Sequence, residues 1–316
     1  LRGWLDRPLL DVVAIQRRLK AVSLLHDNTI PREELTVALS GIPDMERLLS
    51  RIVYGSAGGR DMVSLRKAIV QLPRLKQQLQ GLTDSKYLAE LLQRLDPLED
   101  IGREIEATIC DDPPFSVREG GFIRDGFHAE VDRLRDILHG GKGTIAAVEA
   151  RERERTGIRT LKVSYNKVFG YYIEVSNSFK EQVPEDYVRK QTLVNGERYI
   201  TQELKDLEHT ILTANDRIGA LEFELFTTLR QHICACVERI QQTASAVAEL
   251  DTLCSFATVA AKNHYCCPDI DESGTLEIYE GRHPVVEQMQ KDNLFVPNDT
   301  IMNQQDARVF IITGPN

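Results

Sequence analysis

The sequence lacks several signatures that would assign a function at once. No unbroken apolar run approaches the roughly 18 residues of a membrane-spanning helix, and no signal-peptide pattern opens the chain. Six cysteines are present (Cys110, Cys234, Cys236, Cys254, Cys266 and Cys267), yet none forms a C-x-x-C pair and no histidine stands at zinc-finger spacing from them. They read as small, half-buried thiols of a reducing cytosol, and metal is not indicated. Positive charge is scarce: the net charge is -9, which argues against a general nucleic-acid sponge unless the basic residues are gathered in one place. Between Thr201 and Lys262 there is no proline and one glycine, Gly219. The chain starts on Leu1 rather than methionine, which suggests a segment of something longer.

What is present is an ordinary soluble composition, 42% hydrophobic and 28% charged in 316 residues, with room for one large core or two to three smaller ones. Residues 1 to about 108 carry helical periodicity. Asp11 is placed to cap a helix bearing Val12, Ile15, Leu19, Val22 and Leu25, and Pro43-Asp44 starts another bearing Met45, Leu48, Leu49 and Ile52. A further helix from Asp61 is expected to be interrupted at Pro73. Asp111 to Gly121 is a loop rich in helix breakers. A helix then resumes through Ile123, Phe127, Val131, Leu134 and Leu138, with a restart expected after Gly140-Gly141, where it becomes highly charged and loses its apolar stripe.

The period changes at Gly157. Leu161, Val163 and Tyr165 alternate, as do Tyr171, Ile173 and Val175, and the intervening NKVFG can turn the chain, so a β-hairpin is expected. From Thr201 a heptad stripe returns (Leu204, Leu207, Ile211, Ala214, Ile218, Leu221, Leu225) and slips near Leu229 and Ile233. It then continues, after a break, to about Lys262, a length that suits a coiled-coil arm or a lever. Short β-prone segments follow, and VFIITGPN (Val309 to Asn316) reads as a buried strand entering a phosphate-binding turn.

Charge is unevenly distributed. Eleven basic and eight acidic residues between Arg151 and Lys205 give +3 there and leave -12 on the rest. Within this island, RKQTLVNGERY gathers Arg189, Lys190, Gln191, Thr192, Asn195, Arg198 and Tyr199, side chains suited to phosphate oxygens. Lys167 lies in the hairpin turn of the same island.

The blocks LRGWLDRPLLD, EGGFIRDGFHAEVDRLR, SYNKVFGYYIEVSNS, YVRKQTLVNGERYITQELK, QQTASAVAELD, EGRHPVVEQ and FIITGPN, in this order, resemble the MutS family of DNA mismatch-repair proteins over essentially the whole chain. The resemblance implies a mainly α fold. A helical core with its first lever helix would occupy residues 1–157, a small β-rich clamp that grips the DNA backbone 158–200, and a second lever helix 201–262. The opening strands of an α/β P-loop (ABC-type) ATPase domain would occupy 263–316. It implies DNA contacts at Arg189, Lys190, Asn195, Arg198 and Lys167. Here the sequence departs from the family's K-N-A-E-R-Y run, with Val194 in place of the lysine and Gly196 in place of the alanine. It further implies adenine stacking by Phe295 and phosphate contact at Gly314, Pro315 and Asn316; His283 gets no role beyond a structural one. The P-loop lysine and serine and the Walker B carboxylates are not in the chain. ATP and Mg²⁺ are therefore expected as ligands of the parent, with neither binding well here and no ATP hydrolysis by this chain. Double-stranded, mismatch-containing DNA, a second copy and a MutL-type protein are the implied partners, in the bacterial cytoplasm at the nucleoid. Competing readings are a MutS relative acting in recombination or in an organelle, and a structural coiled-coil protein with no nucleic-acid role.

Overall fold

A computed structural model describes the chain apart from residues 116–119, 167, 169, 290–294, 313, 315 and 316 and the side chains of 141 and 142. It is mainly α-helical with a small antiparallel sheet, as expected. The described residues group into two compact units. One comprises Leu1–Arg32, Leu82–Ala89 and Thr252–Asn316, and the other Glu33–Gly81 and Glu90–Asp251.

In the first unit, helix α1 (Arg2–Asp6) precedes α2 (Val12–Asp27). The Asp11 carboxylate caps α2, accepting from the Ala14 N–H at 2.7 Å and so satisfying one of the unpaired N–H groups of the first turn. Trp4 packs against Phe256, and the Arg18 guanidinium lies 3.5 Å from the centre of the indole. Toward the other end of the chain, β5 (Leu276–Gly281) pairs antiparallel with β6 (Asn298–Met302), with the short α11 (Pro284–Met289) between them. Residues 309–312 are not the buried strand expected. They are exposed and belong to no strand, and a strand is buried only where neighbours cover both faces; none pairs with them among the described residues.

Helices α3 (Thr29–Ser40), α4 (Met45–Tyr54), α5 (Gly59–Leu79), α6 (Lys86–Arg94) and α7 (Glu99–Thr108) follow in chain order. Asp44 caps α4 through the Arg47 N–H, Met45, Leu48, Leu49 and Ile52 are all buried, and Gly55, at φ 76°, ends the helix in the left-handed conformation that glycine adopts without strain. Pro73 does not interrupt α5. The helix runs through it because Leu65, Ala68, Ile69, Leu72, Leu75 and Leu79 form one buried stripe across the proline. Burying each of these leucines is worth about 1.5–3 kcal/mol, enough together to offset the roughly 3 kcal/mol cost of an internal proline.

Three long helices complete the architecture: α8 (Ala129–Thr156), α9 (Gln202–Ala235) and α10 (Val237–Asn263). The first two, of 28 and 34 residues, extend about 40 and 50 Å at 1.5 Å per residue. Helix α8 begins only at Ala129, so Ile123 and Phe127 precede it, and it passes Gly140, Gly141 and Gly143 without the expected restart. Each helical glycine costs about 1 kcal/mol relative to alanine. Packing along α9 holds the helix, with ion pairs Glu130–Arg217 (3.0 Å), Arg135–Glu222 (2.6 Å) and Arg151–Glu203. The expected break falls at Cys236, between α9 and α10. By length and composition α10 could cross a membrane, but it is a core helix: Ile240, Ala244, Val247 and Leu250 are buried, Arg239 pairs with Asp96 and Asp100, and Glu249 pairs with Arg94.

Glu222 fixes the lower arm. Its side chain is 1% exposed; one oxygen takes Arg135 Nη2 at 2.6 Å and the other the Gly121 N–H at 2.6 Å, tying α9 both to α8 and to the loop before it. Glu222→Ala leaves the Gly121 N–H without its acceptor and takes from Arg135 its buried partner, though Asp125 and Asp132 still face the guanidinium. It is expected to lower stability by about 1–3 kcal/mol, against less than about 1 kcal/mol for removing the exposed Arg217 pair. Urea denaturation of the two variants checks the ordering.

Candidate nucleic-acid interface

Between α8 and α9 stands a four-stranded antiparallel sheet in the order β1-β2-β4-β3, with β1 (Lys162–Asn166), β2 (Gly170–Ser176), β3 (Val188–Thr192) and β4 (Gly196–Ile200). The expected hairpin is β1–β2, in the register Val163↔Ile173 and Tyr165↔Tyr171. The second hairpin, β3–β4, is not among the elements expected from the sequence. Its loop is Leu193-Val194-Asn195, closed by the Leu193 N–H donating to the Gly196 carbonyl at 2.8 Å, and Gly196 opens β4 where a side chain would meet the Val175 carbonyl at 2.6 Å.

One face of the sheet forms a core with both helices. Ile158, Leu161, Ile173, Val175, Tyr187 and Tyr199 pack with Val148 of α8 and Leu204 of α9. Polar ties fasten the same junction. Glu149 accepts from the Val163 N–H (2.8 Å), Arg153 donates to the Leu161 carbonyl (2.7 Å), and Tyr187 donates to Glu152 (2.9 Å), which Arg155 also holds. Burial, followed by the hydrogen bond to Glu152, pushes the Tyr187 hydroxyl well above the ordinary tyrosine range.

The candidate DNA contacts are not equivalent. Lys190 is the extra residue of a β-bulge on the edge strand β3, exposed and without an ion-pair partner among the described residues. Arg189 is exposed but reaches Glu197 (3.4 Å). Asn195 is exposed in the β3–β4 turn, where its carbonyl accepts from the Asn177 N–H (3.2 Å). Arg198 is already engaged. It pairs across the strands with Glu174 (3.4 Å), not with the adjacent Glu197 or with Glu203, donates to Gln191 (2.9 Å), and lies 4.4 Å from the centre of the Tyr172 ring. Lys167 lies outside the described residues. Arg159 and Lys162, to which the sequence assigns no role, are exposed on the same module. A bulge on an edge strand carrying two basic residues also guards that edge against pairing with another chain.

Of the four residues expected to meet a nucleotide, two are described. Phe295 is half-buried, Gly314 is exposed with open space around it, and Pro315 and Asn316 lie outside the described residues. Neither Phe295 nor Gly314 carries a charge for phosphate or an oxygen side chain for Mg²⁺, so these two alone do not fit a nucleotide–metal group. His283 has a definite place: its Nδ1 accepts from the Val285 and Val286 N–H groups and caps α11.

A family model described as MutS domain III matches residues 1–257. The chain belongs to the MutS domain III family. It is 49% identical to the DNA mismatch repair protein MutS of Symbiobacterium thermophilum and 46% identical to those of Lachnoclostridium phytofermentans and Pelotomaculum thermopropionicum. Each match covers the whole of this chain and 34–37% of the relative.

Within this MutS domain III member, Glu197 is the electrostatic centre of the sheet's core face. Its buried carboxylate accepts from the Tyr199 hydroxyl and pairs with Lys180 (2.9 Å) and Arg189. The tyrosine first, then Lys180, hold the carboxyl below the ordinary range near 4.5. Burial, reinforced by Glu197, pushes Tyr199 up to about 12. A depressed carboxyl stabilises the fold above its unfolded value and loses that contribution as pH falls through its folded value. The wild-type chain is therefore expected to lose denaturant resistance below about pH 4.5 more steeply than Glu197→Gln. Parallel acid-side profiles for the two would remove Glu197 from this role.

Proposed function

We propose that this chain is the clamp and lever part of a DNA mismatch-repair ATPase, gripping the backbone of double-stranded, mismatch-containing DNA. The observation that carries the reading is the sheet between α8 and α9, the basic part of an acidic chain, which exposes Lys190, Arg189, Asn195, Arg159 and Lys162. Support comes also from the relatives named DNA mismatch repair protein MutS. Cations and amides grip phosphate without reading bases, so the contact fixes position and not sequence. The shared core of the sheet with α8 and α9 would transmit a change at the far end of the arms as a rigid displacement. In the whole protein the partners are a second copy and a MutL-type protein, and the setting is the bacterial cytoplasm. ATP and Mg²⁺ are ligands of that whole protein, with Phe295 against adenine and Gly314, Pro315 and Asn316 at the phosphates.

Lys190→Glu, alone and with Arg189→Glu, tests the clamp. Duplex affinity measured by fluorescence anisotropy is expected to fall at least tenfold for the double variant. The slope of log K against log salt should shrink by about 0.9 for each phosphate no longer neutralised. Matched and mismatched duplexes should be affected alike. Unchanged affinity in both variants, with unchanged thermal melts, would sink the assignment.

A further inference from the structure

One row of side chains crosses all four strands on the sheet face opposite the core. The register aligns Lys162 with Glu174, Glu174 with Arg198, and Arg198 with Gln191. Along this row the charges run positive, negative, positive, neutral. The core-face row beside it, Val163, Ile173, Tyr199 and Arg189, is apolar except at its edge. The opposite face is thus where the module's charge pattern is set, and Glu174 sits between its two cations.

Arg198 is held on three sides. The Tyr172 ring lies under the guanidinium, Gln191 takes Nη1, and Glu174 faces Nε at 3.4 Å. The Arg198 side chain is 19% exposed and that of Glu174 is 45% exposed. A planar guanidinium so fixed has given up its rotamer freedom already, and its remaining nitrogen, Nη2, can donate to a phosphate oxygen at little further entropic cost. Its charge, however, is offset by the Glu174 carboxylate 3.4 Å from Nε.

We propose that Glu174 is an electrostatic attenuator of the clamp: it holds Arg198 in a phosphate-ready orientation while cancelling its charge, and so keeps the grip on duplex DNA weaker than the fold allows. This rests on the clamp reading above. Glu174 acts on DNA through Arg198 and is a positioning residue. The ring of Tyr172 and the amide of Gln191 keep the guanidinium in place when the carboxylate charge is removed.

The test uses the full chain, a fluorescein-labelled 30-base-pair duplex and salt between about 20 and 200 mM. Glu174→Gln keeps the size and a hydrogen-bond acceptor but removes the charge. Affinity is expected to rise severalfold at the lowest salt, and the salt slope to steepen by about 0.9, the signature of one more neutralised phosphate. The gain should vanish in Glu174→Gln/Arg198→Gln relative to Arg198→Gln alone. Unchanged or weaker binding by Glu174→Gln overturns the inference. So does an equal gain in the Arg198→Gln background, which would reduce Glu174 to simple repulsion. Charge reversal at Lys190 and Arg189 runs in the same assay. If that weakens binding while Glu174→Gln has no effect, the clamp reading stands and the attenuator falls. If neither variant changes binding, or the wild-type chain does not bind at all, both fall together.

Discussion

The architecture of the basic module depends on one shared core. Val148 of α8 and Leu204 of α9 lie in the same apolar cluster as Ile173, Val175 and Tyr199, so the sheet has no core of its own apart from the helices that carry it. A sheet of four strands of five to seven residues needs a covered apolar face to be stable, and α8 and α9 supply part of that cover. Its position and its stability therefore come from the same residues. The Val163 N–H donating to Glu149, Arg153 donating to the Leu161 carbonyl, and Tyr187 donating to Glu152 add direction to this non-directional core.

Around that core the charges sort into two kinds. Arg151, Arg153, Arg155, Lys180 and Arg198 are matched with carboxylates and serve the fold, whereas Lys190, Arg159 and Lys162 stand exposed without ion-pair partners among the described residues. The excess of three positive charges seen in the sequence is thus an average over paired and open cations. Which of them can meet a phosphate is decided by strand register and not by composition.

Legibility in the sequence followed the range of the forces involved. The caps at Asp11 and Asp44 were readable because a cap joins residues three positions apart. The β1–β2 hairpin was readable because its partners are joined by a short turn. Pro73 misled because a local breaker gave way to packing along a buried stripe, and the glycines of α8 because ion pairs to α9 hold the helix on both sides of them. The partner of Arg198 was unreadable for a related reason: Glu174 lies 24 positions away and meets it only because β4 inserts between β2 and β3. Residues 309–312 carry β propensity, but propensity supplies no neighbouring strand. Family membership came from ordered blocks spread along the whole chain, which no single site could supply.

The two arms are mechanically unlike. Helix α9 has a single glycine in 34 residues, whereas α8 carries Gly140, Gly141 and Gly143 near its middle. Glycine is the weakest ordinary helix former, so α8 is the easier of the two to bend, while the shared core keeps the sheet moving as one piece.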